Sequence, residues 1–206
     1  MPRRFVEGLQ RFRREHFPAY RERYRRLVAE GQKPSTLFIG CSDSRVVPHL
    51  LTDSGPGELF VVRNVGAFVP PFDPDADYHG TSAAIEYAVL VLGVTDVVVC
   101  GHTHCGAVRA LYEPPVREPM PHIVRWLELG REAVLPQALP TEQVLRRTEQ
   151  RAIALQLVRL MSFPMVRERV DGGRLALHGW HYVIEDGRVD VLDIERGSFV
   201  PADDQT

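Results

Sequence analysis

Short apolar runs in the first half of the chain alternate with segments of helical periodicity. Three runs have the length of β-strands: residues 36–40 (TLFIG), 58–63 (ELFVVR) and 96–101 (DVVVCG). They are nearly continuous rather than strictly alternating, a pattern typical of parallel strands buried on both faces. Residues 80–92 (GTSAAIEYAVLVL) predict a helix between the second and third strands, with Thr81 or Ser82 as its N-cap. This order predicts an α/β fold with a mostly parallel central β-sheet flanked by helices.

The second half of the chain predicts further helices and then a β-hairpin. Residues 114–121 contain four prolines and predict a loop. The expected elements after it are helices at about 121–133 and 141–163 and strands at 174–184 and 189–194. The last two runs flank Glu185-Asp186-Gly187, whose Asp-Gly pair is typical of a hairpin turn. Since the sequence shows no internal repeat or linker, residues 1–206 are predicted to form a single domain.

The first 30 residues have a basic, amphipathic pattern. They contain nine Arg against four Glu, and their apolar residues recur at helical spacing. These apolar residues are Phe5, Leu9, Phe12, Tyr20, Tyr24 and Leu27. Residues 3–30 therefore predict helix, broken near Pro18 because proline cannot donate to the helical hydrogen-bond ladder. A charge run usually marks a solvated face, so we expect these helices to dock on a core or on another subunit rather than on phosphate.

Composition narrows the class of protein further. Of the 206 residues, 44% are hydrophobic and 25% charged, and the net charge is -2. We therefore expect one substantial core and no general attraction to nucleic acid or to anionic membranes. Three cysteines do not suggest a disulfide scaffold, and a reduced compartment with a metal-binding or reactive role fits better. The sequence shows no signal-peptide pattern and no apolar run of bilayer-spanning length, so we expect a cytoplasmic protein without a membrane partner.

Two polar clusters stand at the ends of predicted strands. Residues 41–45 (CSDSR) follow the first strand directly, and residues 101–106 (GHTHCG) follow the third. In parallel α/β sheets, ligand sites gather outside the carboxyl ends of the strands. We therefore expect the two clusters to face one crevice, although they are distant in sequence.

Cys41, His102 and Cys105 within these clusters form a candidate set of zinc ligands. Zinc binds thiolate and imidazole groups, and catalytic sites use three protein ligands and leave a fourth position open. Spacing alone leaves a second interpretation open, in which the cysteines are small core residues and the histidine is hydrogen-bonded. A fourth protein ligand, Cys100 or Asp43, would instead make the zinc structural.

Asp43 and Arg45 lie beside the first candidate ligand. A carboxylate at this place can bind the metal, or it can accept a hydrogen bond from a hydroxide on the metal. The planar guanidinium of Arg45 matches a carboxylate and can hold it. The pair can also be an ordinary surface ion pair, which contributes little to stability.

The two clusters resemble the paired signature of the beta-class carbonic anhydrases. CSDSR followed by GHxxCG has the order found in that family. Three further segments resemble family segments in the same order: RNVG at 63–66, GTSAAIEY at 80–87 and LHGWHY at 177–182. The resemblance covers most of the chain, from about residue 5 to residue 199.

The resemblance implies a zinc enzyme that interconverts carbon dioxide and bicarbonate. It places Zn²⁺ on Cys41, His102 and Cys105, and an Asp–Arg dyad on Asp43 and Arg45. It implies that a hydroxide on the zinc attacks CO2, while the dyad gates and orients it. It also implies N-terminal helices within residues 1–30 that extend onto a partner subunit, and a homo-oligomer with a dimer as its building block.

Two alternatives to this function stay open. Carbonyl sulfide and carbon disulfide are linear electrophiles of similar shape to CO2, so the same zinc site could hydrolyse them. A non-catalytic protein with a structural zinc would need the fourth protein ligand described above.

The remaining histidines and one cysteine have simpler interpretations. His104, between two candidate ligands, is a candidate proton shuttle, although many surface histidines are merely solvated. His49 is expected to be a loop residue, and His178 and His181 are expected to be structural. Cys100 is expected to be a small core residue.

Overall fold

The fold is organised around one β-sheet, which has six strands within the described residues. It is seen in a computed structural model of the chain that describes residues 2–74, 79–114, 120–136 and 141–205. The strands are β1 (Thr36–Cys41), β2 (Leu59–Asn64), β3 (Asp96–His102), β4 (Ala176–Val183), β5 (Arg188–Asp193) and β6 (Ser198–Pro201). Their spatial order is β2-β1-β3-β4-β5-β6. The pairs among β2, β1, β3 and β4 are parallel, and the pairs β4–β5 and β5–β6 are antiparallel, which confirms the predicted mostly parallel sheet.

Helices flank this sheet. They are α1 (Arg3–Arg11), α2 (Phe17–Glu30), α3 (Pro48–Leu51), α4 (Gly80–Glu86), α5 (Gly106–Tyr112), α6 (Pro121–Leu127), α7 (Glu142–Leu160) and α8 (Pro164–Asp171). Helix α4 continues as a π-helical segment (Tyr87–Leu92), and α6 continues as a 3-10 helix (Glu128–Ala133). Within the described ranges, no helix combines the length and the apolar composition needed to cross a bilayer. The cytoplasmic location stays a prediction.

One detail of the predicted helices is confirmed and another is wrong. The α-helix of the N-terminal segment is interrupted just before Pro18, where a π-helical turn (Phe12–His16) lies between α1 and α2. Such a turn accommodates the hydrogen bond that proline cannot donate. Neither Thr81 nor Ser82 caps α4, since His79 is the N-cap residue and makes no side-chain cap bond. Thr81 is instead buried, and its hydroxyl accepts a hydrogen bond from Asn64 at 3.2 Å.

The C-terminal part contains two elements that the sequence did not predict. The helix expected at 141–163 ends at Leu160, and α8 starts separately at Pro164, a residue suited to the first position of a helix. Strand β6 has four residues, too few for a periodic pattern. The hairpin turn is confirmed, with Gly187 at a φ of 66°. Of the predicted proline loop, residues 115–119 lie outside the described residues.

The main core lies between the sheet and α7. Leu37 and Ile39 of β1 and Val97 and Val99 of β3 pack there with Ile153 and Leu160 of the helix. Two strand glycines let the helix come close: an added Cβ at Gly101 would lie 2.8 Å from Ile153 and one at Gly179 would lie 3.0 Å from it. This close approach carries the polar residues of α7 to the carboxyl end of β3.

The opposite face of the sheet has a smaller apolar cluster. Phe38, Val98 and Cys100 are buried in it, and Trp180 and Tyr182 pack against them. The ring of Phe38 meets that of Trp180 edge-on, with centroids 6.2 Å apart.

The N-terminal helices make few contacts with the rest of the chain. Helix α1 has no buried residue, and Phe5 and Leu9 are 53% and 60% exposed. Helix α2 is anchored near its middle, where Arg23 forms a 2.5 Å ion pair with Glu58. The apolar stripe of α1 is therefore uncovered in the single chain.

Candidate metal centre

The three predicted ligands come together at the carboxyl ends of β1 and β3. Cys41 is the last residue of β1, His102 is the last residue of β3, and Cys105 is the N-cap residue of α5. Their candidate ligand atoms all lie within 4.8 Å of one another. The side chains are buried, with 6%, 0% and 5% of their surface exposed.

The imidazole of His102 has one nitrogen that is hydrogen-bonded and one that is not. Its Nδ1 lies 2.8 Å from the carbonyl oxygen of Thr103, and because a carbonyl only accepts, this nitrogen carries the proton. Nε2 is buried and has no hydrogen-bond partner among the described residues. A buried lone pair of this kind is costly unless something binds it, and imidazole nitrogens bind metals. The residues therefore fit a metal ion.

The two thiols of the site differ in acidity. Cys105, as a hydrogen-bond partner, lowers the pKa of Cys41 to about 4, against the opposing effect of burial. The same contact and burial raise the pKa of Cys105 well above its usual range. Gly66 supports the thiolate, since its backbone N–H donates to Cys41 Sγ at 3.4 Å from a φ of 84° that favours glycine. These contacts favour the thiolate form of Cys41, which is the form that binds metals.

Cys100 does not belong to this group. It is fully buried beside Phe38 and Val98, and burial raises the pKa of its thiol to about 12. The prediction that Cys100 is a core residue is confirmed, and its position gives no support to a fourth cysteine ligand.

Asp43 is held by Arg45 beside the three ligands. Arg45 Nε donates to Asp43 Oδ1 at 2.9 Å, and Arg45 Nη2 donates to Oδ2 at 2.8 Å. These hydrogen bonds hold the pKa of Asp43 well below its usual range. Asp43 Oδ2 lies 3.9 Å from His102 Nε2, so the carboxylate stands next to the ligand atoms while bonded to arginine. Arg45 Nη2 also donates to the carbonyl oxygen of His104 at 3.1 Å, which ties the two clusters together.

Arg63 is a further site residue, which the sequence showed only as part of the RNVG segment. Its Nε donates to the carbonyl oxygen of Cys41 at 2.9 Å, and its Nη2 donates to that of Asp43 at 2.6 Å. It therefore fixes the main chain that carries both side chains. The position of RNVG at the end of a predicted strand beside the first cluster was the only available signal.

The other histidines make local contacts. His49 lies in helix α3 and not in the expected loop, and its Nδ1 is 3.1 Å from Ser54 Oγ. His178 Nε2 lies 2.8 Å from an oxygen of Asp96, so both histidines have structural partners. His104 is half exposed, has a φ of 58°, and lies 3.6 Å from Glu185. Its part in proton transfer stays a prediction.

A second group of possible ligands lies on the surface and consists of His104, Glu142 and Glu185. Glu185 is already bonded on both oxygens, accepting from Arg146 at 2.8 Å and from Thr103 at 2.6 Å. These hydrogen bonds engage both oxygens of Glu185, the carboxylate that a cation at this surface group would most need as a ligand.

The fold and the buried Cys–His–Cys group define an α/β protein with a candidate metal centre at the carboxyl ends of two neighbouring strands. Comparison with known sequences makes this more specific: the sequence profile of the carbonic anhydrase family matches residues 36–189. The chain belongs to the beta-class carbonic anhydrase family and is an enzyme of that kind.

Individual carbonic anhydrases align in sequence with nearly the whole of this chain. It is 43% identical to a carbonic anhydrase of Pseudomonas aeruginosa, over 96% of this chain and 90% of the relative. It is 41% identical to a carbonic anhydrase of Synechococcus elongatus, over 95% of this chain and 72% of the relative.

Solved structures show the same similarity. The beta-carbonic anhydrase CcaA superposes with a TM-score of 0.89 at 40% identity, over 96% of this chain and 98% of that one. One of two tetrameric beta-carbonic anhydrases from Sordaria macrospora gives a TM-score of 0.70 at 28% identity, over 96% and 94% of the chains.

The ligand set makes a direct prediction about metal content. Cys41→Ser and Cys105→Ser should each lose most of the bound zinc, because a serine hydroxyl is a much poorer zinc ligand than a thiolate. The matched control is Cys100→Ser, whose hydroxyl can still donate to the carbonyl oxygen of Gly101 as the thiol does. Zinc per folded chain, measured by elemental analysis after gel filtration, is the readout. Loss of zinc from Cys100→Ser together with retention by Cys41→Ser would show that the ligand set is wrong.

Proposed function

We propose that this chain catalyses the reversible hydration of carbon dioxide to bicarbonate and a proton, with Zn²⁺ held by Cys41, His102 and Cys105. The observation that carries the proposal is the bare, buried Nε2 of His102. It lies within 4.8 Å of two cysteine sulfurs and 3.9 Å from a carboxylate fixed by Arg45. In a chain that belongs to the carbonic anhydrases, this arrangement supports catalysis rather than a structural metal.

Zinc in this place would lower the pKa of a water molecule that it binds, so that a nucleophilic hydroxide is available near neutral pH. Three protein ligands would leave one position for that water. The ligand charges matter as well, because two thiolates neutralise the charge of Zn²⁺ and weaken its acidifying effect. Neighbouring residues must therefore contribute to orienting the nucleophile.

Asp43 is suited to orient the attacking oxygen. Each carboxylate oxygen has two lone pairs, and Arg45 uses both on Oδ1, through its backbone N–H and its Nε, but only one on Oδ2. The remaining lone pair on Oδ2 could accept a hydrogen bond from a hydroxide beside His102 Nε2, and so orient a lone pair of the hydroxide oxygen toward the carbon of CO2. The Asp43 carboxylate cannot keep its hydrogen bonds to the Arg45 guanidinium and at the same time coordinate a metal ion. Arg45 therefore acts as a gate, because its bonds hold Asp43 away from the metal.

We also infer the setting in which this activity occurs. The chain forms one domain, residues 1–206, and works as a homo-oligomer with a dimer as its unit. The uncovered stripe of α1 supports this, and so does the tetrameric state of the Sordaria macrospora enzymes. A cytoplasmic location fits the three free cysteines, which are all reduced in the structure.

Stopped-flow CO2 hydration, with zinc quantified in the same sample, tests the proposal. Activity that scales with zinc content supports it, and a zinc-loaded preparation without CO2 turnover refutes it. The same preparation should be assayed with carbonyl sulfide and carbon disulfide. Turnover of either gas that exceeds CO2 turnover would favour the hydrolase alternative.

Arg45→Ala tests the gate. Without its arginine, Asp43 should move to the metal and close the fourth position, so that CO2 hydration is lost while zinc is retained. Arg45→Lys is the matched control, since lysine keeps the charge but offers no planar fork, and it should retain partial activity. Full activity in Arg45→Ala would contradict the gating role.

Removal of residues 1–12 tests the assembly. Exposed apolar stripes of this kind are usually covered by a partner, so the truncated protein should form monomers or lose solubility. Arg3→Glu, which changes charge on the same helix without touching the stripe, is the control and should leave assembly unchanged. Analytical ultracentrifugation is the measurement, and a soluble dimer after the deletion would show that the stripe is dispensable.

A further inference from the structure

A buried charged residue lies beneath the metal centre and has no part in the mechanism described above. Glu149 stands on α7 with only 3% of its surface exposed. One carboxylate oxygen, Oε1, accepts a hydrogen bond from the backbone N–H of the ligand Cys105 at 3.2 Å. The other, Oε2, lies 3.1 Å from Nε2 of His181 on β4, which is fully buried.

The pairing fixes the protonation pattern of the imidazole. Because a carboxylate only accepts, Nε2 of His181 carries the proton of this bond. Nδ1 of His181 is buried without a hydrogen-bond partner in the described part of the chain. The His181 ring also packs edge-on against Phe199 of β6, with the ring centroids 6.1 Å apart, and this contact helps to hold the imidazole in place.

Stability alone does not account for this pair. Taking a carboxylate out of water carries a desolvation penalty that pairing often fails to offset, and apolar residues of similar volume are frequently as stable or more stable. The surroundings would suit such residues, since Ala152 and Ile153 on the same helix are buried in the apolar core. The pair lies where the carboxylate oxygen that is not bonded to the histidine accepts a hydrogen bond from the main chain of a metal ligand.

We propose that Glu149 and His181 form a positioning pair that holds Cys105 in the geometry for metal binding. The inference rests on the proposed zinc centre. Glu149 binds the N–H at the point where the chain leaves β3 and enters α5, so it sets the direction of the Cys105 side chain. His181 fixes the rotamer of Glu149 from the neighbouring strand, where it pairs with Gly101, directly before the ligand His102. Neither residue touches substrate.

Replacement of both residues by leucine separates positioning from stability. The variant Glu149→Leu with His181→Leu removes both buried polar side chains and leaves only the N–H of Cys105 without its acceptor, so its chemical unfolding midpoint in the metal-free form should stay close to that of the parent. Its zinc affinity should fall by about 10- to 100-fold, the usual effect of losing a group that orients a ligand. The readout is zinc competition against a chromophoric chelator, which needs no activity.

Glu149→Gln is the second variant and keeps the size of the side chain. Its amide oxygen can still accept from Cys105, but the bond lacks the negative charge that makes such bonds about twice as strong. Its zinc affinity should lie between those of the parent and the double variant. If the double variant does not fold, this isosteric variant decides the question.

Thr148→Val is the matched control. Thr148 is the neighbour of Glu149 on α7 and equally buried, but its hydroxyl bonds Tyr112 and the carbonyl oxygen of Val144 rather than the metal loop. The control should lower the unfolding midpoint and leave zinc affinity unchanged. Parent-like zinc affinity in both the double variant and Glu149→Gln would overturn the proposal. A parent protein that binds zinc but does not hydrate CO2 would refute the proposed function and leave this inference standing.

Discussion

The parallel pairing of β1 with β3 is the constraint on which the metal centre depends. Its register places Gly40 opposite Cys100, so the next residue of β1, Cys41, lies beside the end of β3 where His102 stands. A shift by one residue would turn every side chain of a strand to the other face of the sheet. Both strands are buried on both faces, so such a shift would also place their side chains against the wrong neighbours in the packed core. The position of the ligands is therefore set by the packing of the core.

Around this pairing, the site is held mainly by bonds between side chains and main chain. Arg63 donates to the carbonyl oxygens of Cys41 and Asp43, and Glu149 accepts the N–H of Cys105. His102 is oriented in the same way through the carbonyl oxygen of Thr103. Bonds of this type fix the backbone from which a ligand extends, and so restrict the directions its side chain can take. The geometry of the centre is thus established by the folded chain itself.

The sequence was sufficient for five of the six described strands and for the three candidate ligands that the structure brings together, for identifiable physical reasons. Nearly continuous apolar runs specify β1 and β3, and cysteine and histidine at their ends are the residue types that zinc prefers. The pair of Glu149 and His181 could not be predicted, because it joins residues 32 positions apart. In sequence, Glu149 is one charged residue among several on α7. Glu149 is buried because glycines in the strands let α7 pack close to the sheet. No periodicity in the local sequence reveals this close packing.

Charge explains why the centre is suited to a soft or borderline cation. In this arrangement the two carboxylates nearest the ligands already have fixed partners, Asp43 with Arg45 and Glu149 with His181. The two thiols are different, because the hydrogen bond between them lowers the pKa of Cys41 to about 4 against the effect of burial, while the same bond and burial both raise the pKa of Cys105. Two adjacent buried thiolates repel, and a divalent cation bound to both would let the second ionise, with release of its proton. Since the oxygen donors are engaged elsewhere, such a cation meets two sulfurs and one imidazole nitrogen. That donor set favours zinc over oxygen-seeking ions such as magnesium.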